Sequence, residues 1–333
     1  MTLDRIVSVA FVVLVSTAIV GFSAGTSGAS FTGTSTNPSQ GMVTSNVAAP
    51  ASETATSAAA GQINLSWPAT TTPANGHTVT YLVFRGGVQI GSTSGLTYSD
   101  TPAADGTYTY YVQTKIAQGS GFFTSGNSPS QSPLSDRTAP TMSATCNGGS
   151  CAGWFNGSVT FVVSGADGAG VGMGTATTNV DGAGAVTSSA PRTVTVSGES
   201  ATHSVVYSGA DAAANASGNT SQTVKIDLTA PTAATGITAA KGASAGQIVL
   251  TWTAGTDALS GVSGYTIHRS GVVASCPATT PANYPNTTTV GAVTTSTISG
   301  LVSTSKYCFY LTTTDNAGNV SANSAAVGPA AAK

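Results

Sequence analysis

The chain has 333 residues, of which 7% are charged, and its formal net charge is −2. An average soluble protein carries about 25% charged residues, so a basic field for nucleic acid and an acidic tail are both excluded. A hydrophobic share of 40% excludes wholesale disorder and suffices for several small cores.

The first element is an apolar run from Ile6 to Phe22, preceded by Asp4 and Arg5. It sits at the short end of what spans a bilayer, so a cleaved signal and a retained anchor are both open. Small residues follow, and a peptidase could cut after Ala24 or Ala29; we expect cleavage. Residues 1–29 are thus read as signal or anchor and 30–46 as a linker. The membrane is reached only through residues 6–22, if that segment is retained.

Beyond this leader no stretch keeps a 3.6-residue apolar period. Short alternating runs recur between Gly, Ser, Asn and Asp clusters, which is the pattern of half-buried strands. Ile63, Leu65 and Trp67 form one such run; Tyr81 and Val83 another; Tyr108, Tyr110 and Val112 a third. The order returns with Ile248, Leu250 and Trp252, then Tyr265 and Ile267, then Tyr307, Phe309 and Leu311. Between these sets, Asp136-Arg137-Thr138-Ala139-Pro140-Thr141 is nearly repeated as Asp227-Leu228-Thr229-Ala230-Pro231-Thr232. The spacing is about one β-sandwich in length, and proline stops a strand from running through. An all-β chain of three tandem sandwiches follows, with domains at 47–136, 137–228 and 229–333.

The four cysteines allow three pairings, but these boundaries leave only Cys146–Cys151 and Cys276–Cys308 inside single domains. A zinc site is the competing reading, and it lacks a second close-spaced ligand pair. Disulfides imply an oxidising, extracellular setting. Period-two alternation puts Tyr307, Phe309 and Leu311 inward and Cys308 outward. The second bond is therefore expected to staple a proline-rich insertion across the outer face of a sheet.

Gly61-Gln62-Ile63-Asn64-Leu65-Ser66-Trp67 matches Gly246-Gln247-Ile248-Val249-Leu250-Thr251-Trp252, and Tyr81-x-x-x-Arg85 matches Tyr265-x-x-x-Arg269. Leu301 stands six before Tyr307, where Pro102 stands six before Tyr108. On these residues both outer domains resemble fibronectin type III domains, with Pro102 a departure from the usual leucine. The resemblance implies a tryptophan on the second strand, a core built on Trp67, Tyr108, Trp252 and Tyr307, and tyrosines bonded back to backbone at the sheet corner. The middle domain resembles bacterial Ig-like repeats, whose penultimate strand leads into an Asp-x-Ala-Gly-Asn turn. Asp315-Asn316-Ala317-Gly318-Asn319 carries it intact, and Asp211 to Asn219 reads as a lengthened version.

Catalytic templates fail. Gly242-Ala243-Ser244-Ala245-Gly246 fits a nucleophile elbow by spelling, but such an elbow needs a strand before it and a helix after it. His77, His203 and His268 fall one to a domain, apart from one another and from any motif. Asp167 and Asp211 could approach each other at one pole of the middle domain, yet carboxylates capping their own turns are the commoner case. No catalytic residue, metal or cofactor is expected. Phe122 and Phe123, and Trp154 and Phe155, are the candidate contact surface, since exposed aromatics stack on sugars or dock partners. The functional expectation is a non-catalytic structural or adhesive protein at the cell exterior, meeting a protein or glycan there. The alternative is a carbohydrate-binding accessory to secreted polysaccharide-degrading enzymes.

Overall fold

The computed structural model describes residues 47–71, 76–118 and 121–333. Residues 1–29, read as signal or anchor, and 30–46, read as a linker, lie outside the described residues. Two compact units emerge. One holds the described residues up to Pro140 with 167–174 and 210–216; the other holds 141–166, 175–209 and 217–333. Strands dominate throughout, and among the described residues no helix is long and apolar enough to cross a membrane.

The first sandwich contains β1 (Thr54–Ala58), β2 (Gln62–Ser66), β3 (Val79–Arg85), β4 (Val88–Thr93), β5 (Thr97–Asp100), β6 (Gly106–Thr107), β7 (Tyr110–Gln118), β8 (Gly121–Thr124) and β9 (Leu134–Ser135). Sheet β1-β2-β5 faces sheet β4-β3-β7-β8, while β6 and β9 pair separately. Alternation decides what each strand contributes. Ile63, Leu65 and Trp67 come from the β2 run, Tyr81 and Val83 from β3, and Tyr110 and Val112 from β7, all buried together. Trp67 packs on Tyr81 with ring centroids 5.7 Å apart. The expected core place of Tyr108 needs correction. It lies before β7 begins, half-exposed at the rim of the core, and its hydroxyl donates to Ala104 O at 3.0 Å. The buried tyrosine of this strand is Tyr110.

The middle sandwich is built from β10 (Thr141–Cys146), β11 (Trp154–Phe155), β12 (Val159–Ala166), β13 (Met173–Val180), β14 (Val186–Ser189), β15 (Arg192–Val196), β16 (Ser200–Asp211) and β17 (Thr220–Ile226). Its sheets run β10-β12-β15 and β11-β17-β16-β13-β14. Val159, Phe161, Val163, Val205, Tyr207, Val224 and Ile226 form its core, with the Cys146–Cys151 disulfide among them. Asn147 and Gly148 both have positive φ, the demand of a tight hairpin turn, and Cys146 and Gly149 exchange both backbone hydrogen bonds across it. The turn after β16 is not lengthened. It closes within Asp211 to Asn215, and Ala214 (φ +70°) holds the left-handed position that Gly318 (φ +94°) holds in the related turn.

The third sandwich repeats the plan of the first with β18 (Thr235–Lys241), β19 (Ile248–Thr253), β20 (Val262–Arg269), β21 (Asn286–Gly291), β22 (Thr295–Ile298), β23 (Lys306–Asp315) and β24 (Val327–Ala331). Sheet β18-β19-β22 packs on β21-β20-β23-β24. Trp67 and Trp252 each stand at the end of the second strand run, as the fibronectin type III resemblance implies, and Trp252 meets Tyr265 at 5.3 Å. The Tyr307 hydroxyl accepts from the Val302 N–H at 3.1 Å, a bond back to the corner. One feature has no counterpart in the first sandwich. The chain between β20 and β21 carries Cys276 to a disulfide with Cys308 and lays Tyr284 over β23. Cys308 does lie on the face opposite Tyr307 and Phe309, but it is completely buried, because the insertion covers that face.

Candidate binding surface

On β3 and β7 of the first sandwich, the residues between the core positions point to the sheet's outer side. Pairing sets Phe84 opposite Tyr111, Leu82 opposite Gln113 and Thr80 opposite Lys115. Phe84 and Tyr111 stack at 4.8 Å with an interplanar angle of 13°. On edge strand β8, Phe122 is 60% exposed and the Lys115 ammonium lies over its ring at 4.2 Å. The result is a strip of half-exposed rings flanked by one cation and by the Gln113 amide, which donates to Asn127 Oδ1 at 2.8 Å. Phe123 does not share this surface with Phe122. They are neighbours on a strand and point to opposite faces; Phe123, 43% exposed, pairs with Ile116 on the core side.

The third sandwich has the same cross-strand pair at the same place. His268 lies opposite Tyr310 and stacks on it at 4.3 Å and 5°. There the insertion fills the face, and Tyr284 meets Tyr310 edge-on at 4.8 Å. Burial holds the His268 pKa below its ordinary value and those of Tyr284 and Tyr310 above theirs. A position that accepts an aromatic ring is thus filled by the insertion in the third sandwich, whereas in the first Phe84 and Tyr111 stay half-exposed among the described residues. Sequence reading missed Phe84 and Tyr111. Their signal was an aromatic at each of two paired outward positions, where alternation calls for polar groups.

The remaining candidates scatter. Trp154 and Phe155 on β11 are half-buried; Phe155 packs on the middle core and the Lys225 ammonium lies 5.7 Å from the Trp154 ring centroid. Ser244 sits in the turn between β18 and β19, where its N–H donates to Gln247 Oε1 at 3.0 Å, and no helix follows. His268, on β20, contacts Thr312 Oγ1 at 3.2 Å instead of Ser244. His203 is not isolated, since its Nδ1 meets Asp181 Oδ2 at 2.7 Å. Burial is the largest single influence on His203 and opposes its charge, but the Asp181 bond, the Gly198 carbonyl and the Asp181 charge together outweigh it and raise the pKa. A part-buried network joins Arg85 to Asp100 Oδ2 at 2.7 Å, and the Tyr110 hydroxyl donates to the same oxygen at 2.7 Å. Burial first, and the hydrogen bond to Asp100 second, push the Tyr110 pKa up. This network ties strands of the two sheets together.

No family model matches the chain. Over 279 residues, 80% of this chain, it is 31% identical to Exoglucanase B of Cellulomonas fimi, and it spans 24% of that protein's length. Among solved structures, the chicken CNTN1 FN1-FN3 domains share 15% identity at a TM-score of 0.38, over 84% of this chain and 97% of theirs. Titin domains A168-A170 share 14% at 0.37, over 86% and 97%. The fibronectin(III)-like modules of Clostridium thermocellum CbhA share 18% at 0.32, over 52% and 94%.

Proposed function

We propose that this chain is a non-catalytic extracellular protein whose sandwiches act as spacers and whose first sandwich carries a binding face. The observation behind this reading is the Phe84–Tyr111 stack with Phe122 and Lys115, on a sheet face whose rings stay half-exposed or exposed among the described residues. Rings of this kind stack on the apolar faces of sugars, and a flanking ammonium and amide supply donors for hydroxyls.

The carbohydrate-binding reading is favoured over simple adhesion by the similarity to a stretch of an exoglucanase. The test is retention on a panel of insoluble polysaccharides (cellulose, xylan, chitin) against soluble competitors. Retention on one polymer, lost in a Phe84→Ser, Phe122→Ala double variant that keeps its melting temperature, supports the glycan reading. Wild-type passage through the whole panel returns the face to a protein-contact role. A hydrolytic activity lost on Ser244→Ala would overturn the non-catalytic reading itself.

A further inference from the structure

Two trios of aspartates bring carboxylate oxygens within 4.8 Å of one another: Asp136, Asp167 and Asp211, and Asp227, Asp257 and Asp315. Both rest on the same local sequence. Asp136 and Asp227 open the repeated Asp-x-Thr-Ala-Pro-Thr stretch, and Oδ1 of each accepts the N–H two residues on, at 2.9 and 3.0 Å. Asp211 and Asp315 open five-residue turns closed by Asn215 and Asn319, whose amides donate to Oδ2 at 2.7 and 2.8 Å. Each asparagine also donates to the backbone carbonyl of the first aspartate, at 3.0 Å for Asp136 and 2.8 Å for Asp227. The chain builds this device twice.

The first trio carries a further sign. Asp136, Asp167 and Asp211 are 2%, 9% and 3% exposed. Backbone N–H groups and the Asn215 amide meet the oxygens of Asp136 and Asp211. Asp167 Oδ2 accepts from the Gly172 N–H at 2.7 Å, but Asp167 Oδ1 is buried without a partner. A charged oxygen withdrawn from water with nothing to bond is costly, and two further carboxylates beside it add repulsion. Among the described residues, the ion pairs of Arg85, Arg137 and His203 go to Asp100, Asp105 and Asp181, not to this trio. Gly170 keeps the place open: a Cβ there would stand 2.4 Å from both Asp136 Oδ2 and Asp167 Oδ2.

All-oxygen donors with no thiolate or imidazole suit a hard cation, and ligands spread over separate loops suit calcium better than the stricter magnesium. We propose that Asp136, Asp167 and Asp211 bind a calcium ion, with Asp167 Oδ1 supplying an otherwise unused ligand atom. The ion offsets the clustered charge and pins segments 167–174 and 210–216 to Asp136. The second trio lacks the buried unpartnered oxygen, and the proposal stops at the first. It stands apart from the glycan reading, which places binding on another face.

The test is calcium titration of the chelator-treated full chain, followed by calorimetry and by melting temperature. Wild type should bind with a Kd on the order of 0.1–1 mM, the range of extracellular modules. Its melting temperature should rise by about 5 °C or more at a hundredfold excess over Kd. Asp167→Asn, which keeps an acceptor for Gly172, should weaken uptake at that site at least about tenfold, and Asp257→Asn should leave it unchanged. Should Asp167→Asn fail to fold, Gly170→Ala provides the same reading by filling the place. No uptake by wild type, or uptake that Asp257→Asn abolishes and that Asp167→Asn and Gly170→Ala both spare, overturns the proposal.

Discussion

Ala214 occupies a backbone conformation that its counterpart turn gives to glycine. At φ +70° an alanine Cβ crowds its own carbonyl, at a cost of about 1 kcal/mol. Ala214→Gly should therefore raise the urea midpoint by an amount equivalent to at most about 1 kcal/mol, the gain being trimmed by the looser unfolded chain. Gly318→Ala should lower it by a similar amount, since a Cβ there would meet only Asn156 Nδ2, at an ordinary contact distance of 3.7 Å, which leaves backbone strain as the main cost. A midpoint unchanged in both variants would show that neither turn conformation is held. The Asp181–His203 pair makes a second prediction at this scale. The raised His203 pKa stabilises the fold fully below the unfolded value near 6.5 and ceases to do so as pH climbs through the folded value. The Asp181 pKa is lowered, by the His203 bond first, so its contribution is present above about 3.8 and is lost as pH falls through the folded value. The pair should thus contribute most between about pH 4 and 6.5, and His203→Gln should flatten the melting-temperature profile across that window.

Strand β23 is buried on both sides: Tyr307, Phe309 and Leu311 enter the core, while Cys308 and Tyr310 lie under the insertion. Two forces hold that cover down, the packing of Tyr284 on Tyr310 and the covalent tie from Cys276. By the chain-entropy estimate, closing a loop with a separation of 32 is worth roughly 3–4 kcal/mol, against about 2 kcal/mol for the separation of five at Cys146–Cys151. Replacing Cys276 and Cys308 by serine should cut the melting temperature steeply and open residues 271–285 to proteases. Replacing Cys146 and Cys151 should cost less and leave the insertion protected. Equal losses would contradict the ranking, and peptide mapping after digestion reads both outcomes. Period-two alternation was enough to tell on which side of β23 Cys308 lies. It could not show that this side is covered, because burial of an outward face depends on a distant segment folding back.

At the level of the whole chain, the sandwich class and the likeness of the outer domains were legible because strand alternation and the Gly-Gln-Ile-x-Leu-x-Trp run are local signals. The binding face was half legible. Phe122 stood out in a glycine-rich stretch of sequence, whereas Phe84 and Tyr111 needed the β3–β7 register to meet. Of the aspartate trios, only the approach of Asp167 to Asp211 was anticipated; Asp136 and the whole second trio were not, for each trio gathers residues dozens of positions apart that only the turns at strand ends bring together. The stapled insertion has one more consequence, and it is mechanical. If the chain is stretched between its ends, force passes through Cys276 and Cys308 directly, and the segment they enclose bears none of it. Roughly 110 Å of extended chain, at about 3.4 Å per residue, is thereby withheld from the unravelling domain. In single-molecule pulling, the unfolding step of the third sandwich should be shorter by about that length under oxidising conditions than after reduction. The third sandwich would then act as a tether whose reach is set by the redox state of its surroundings.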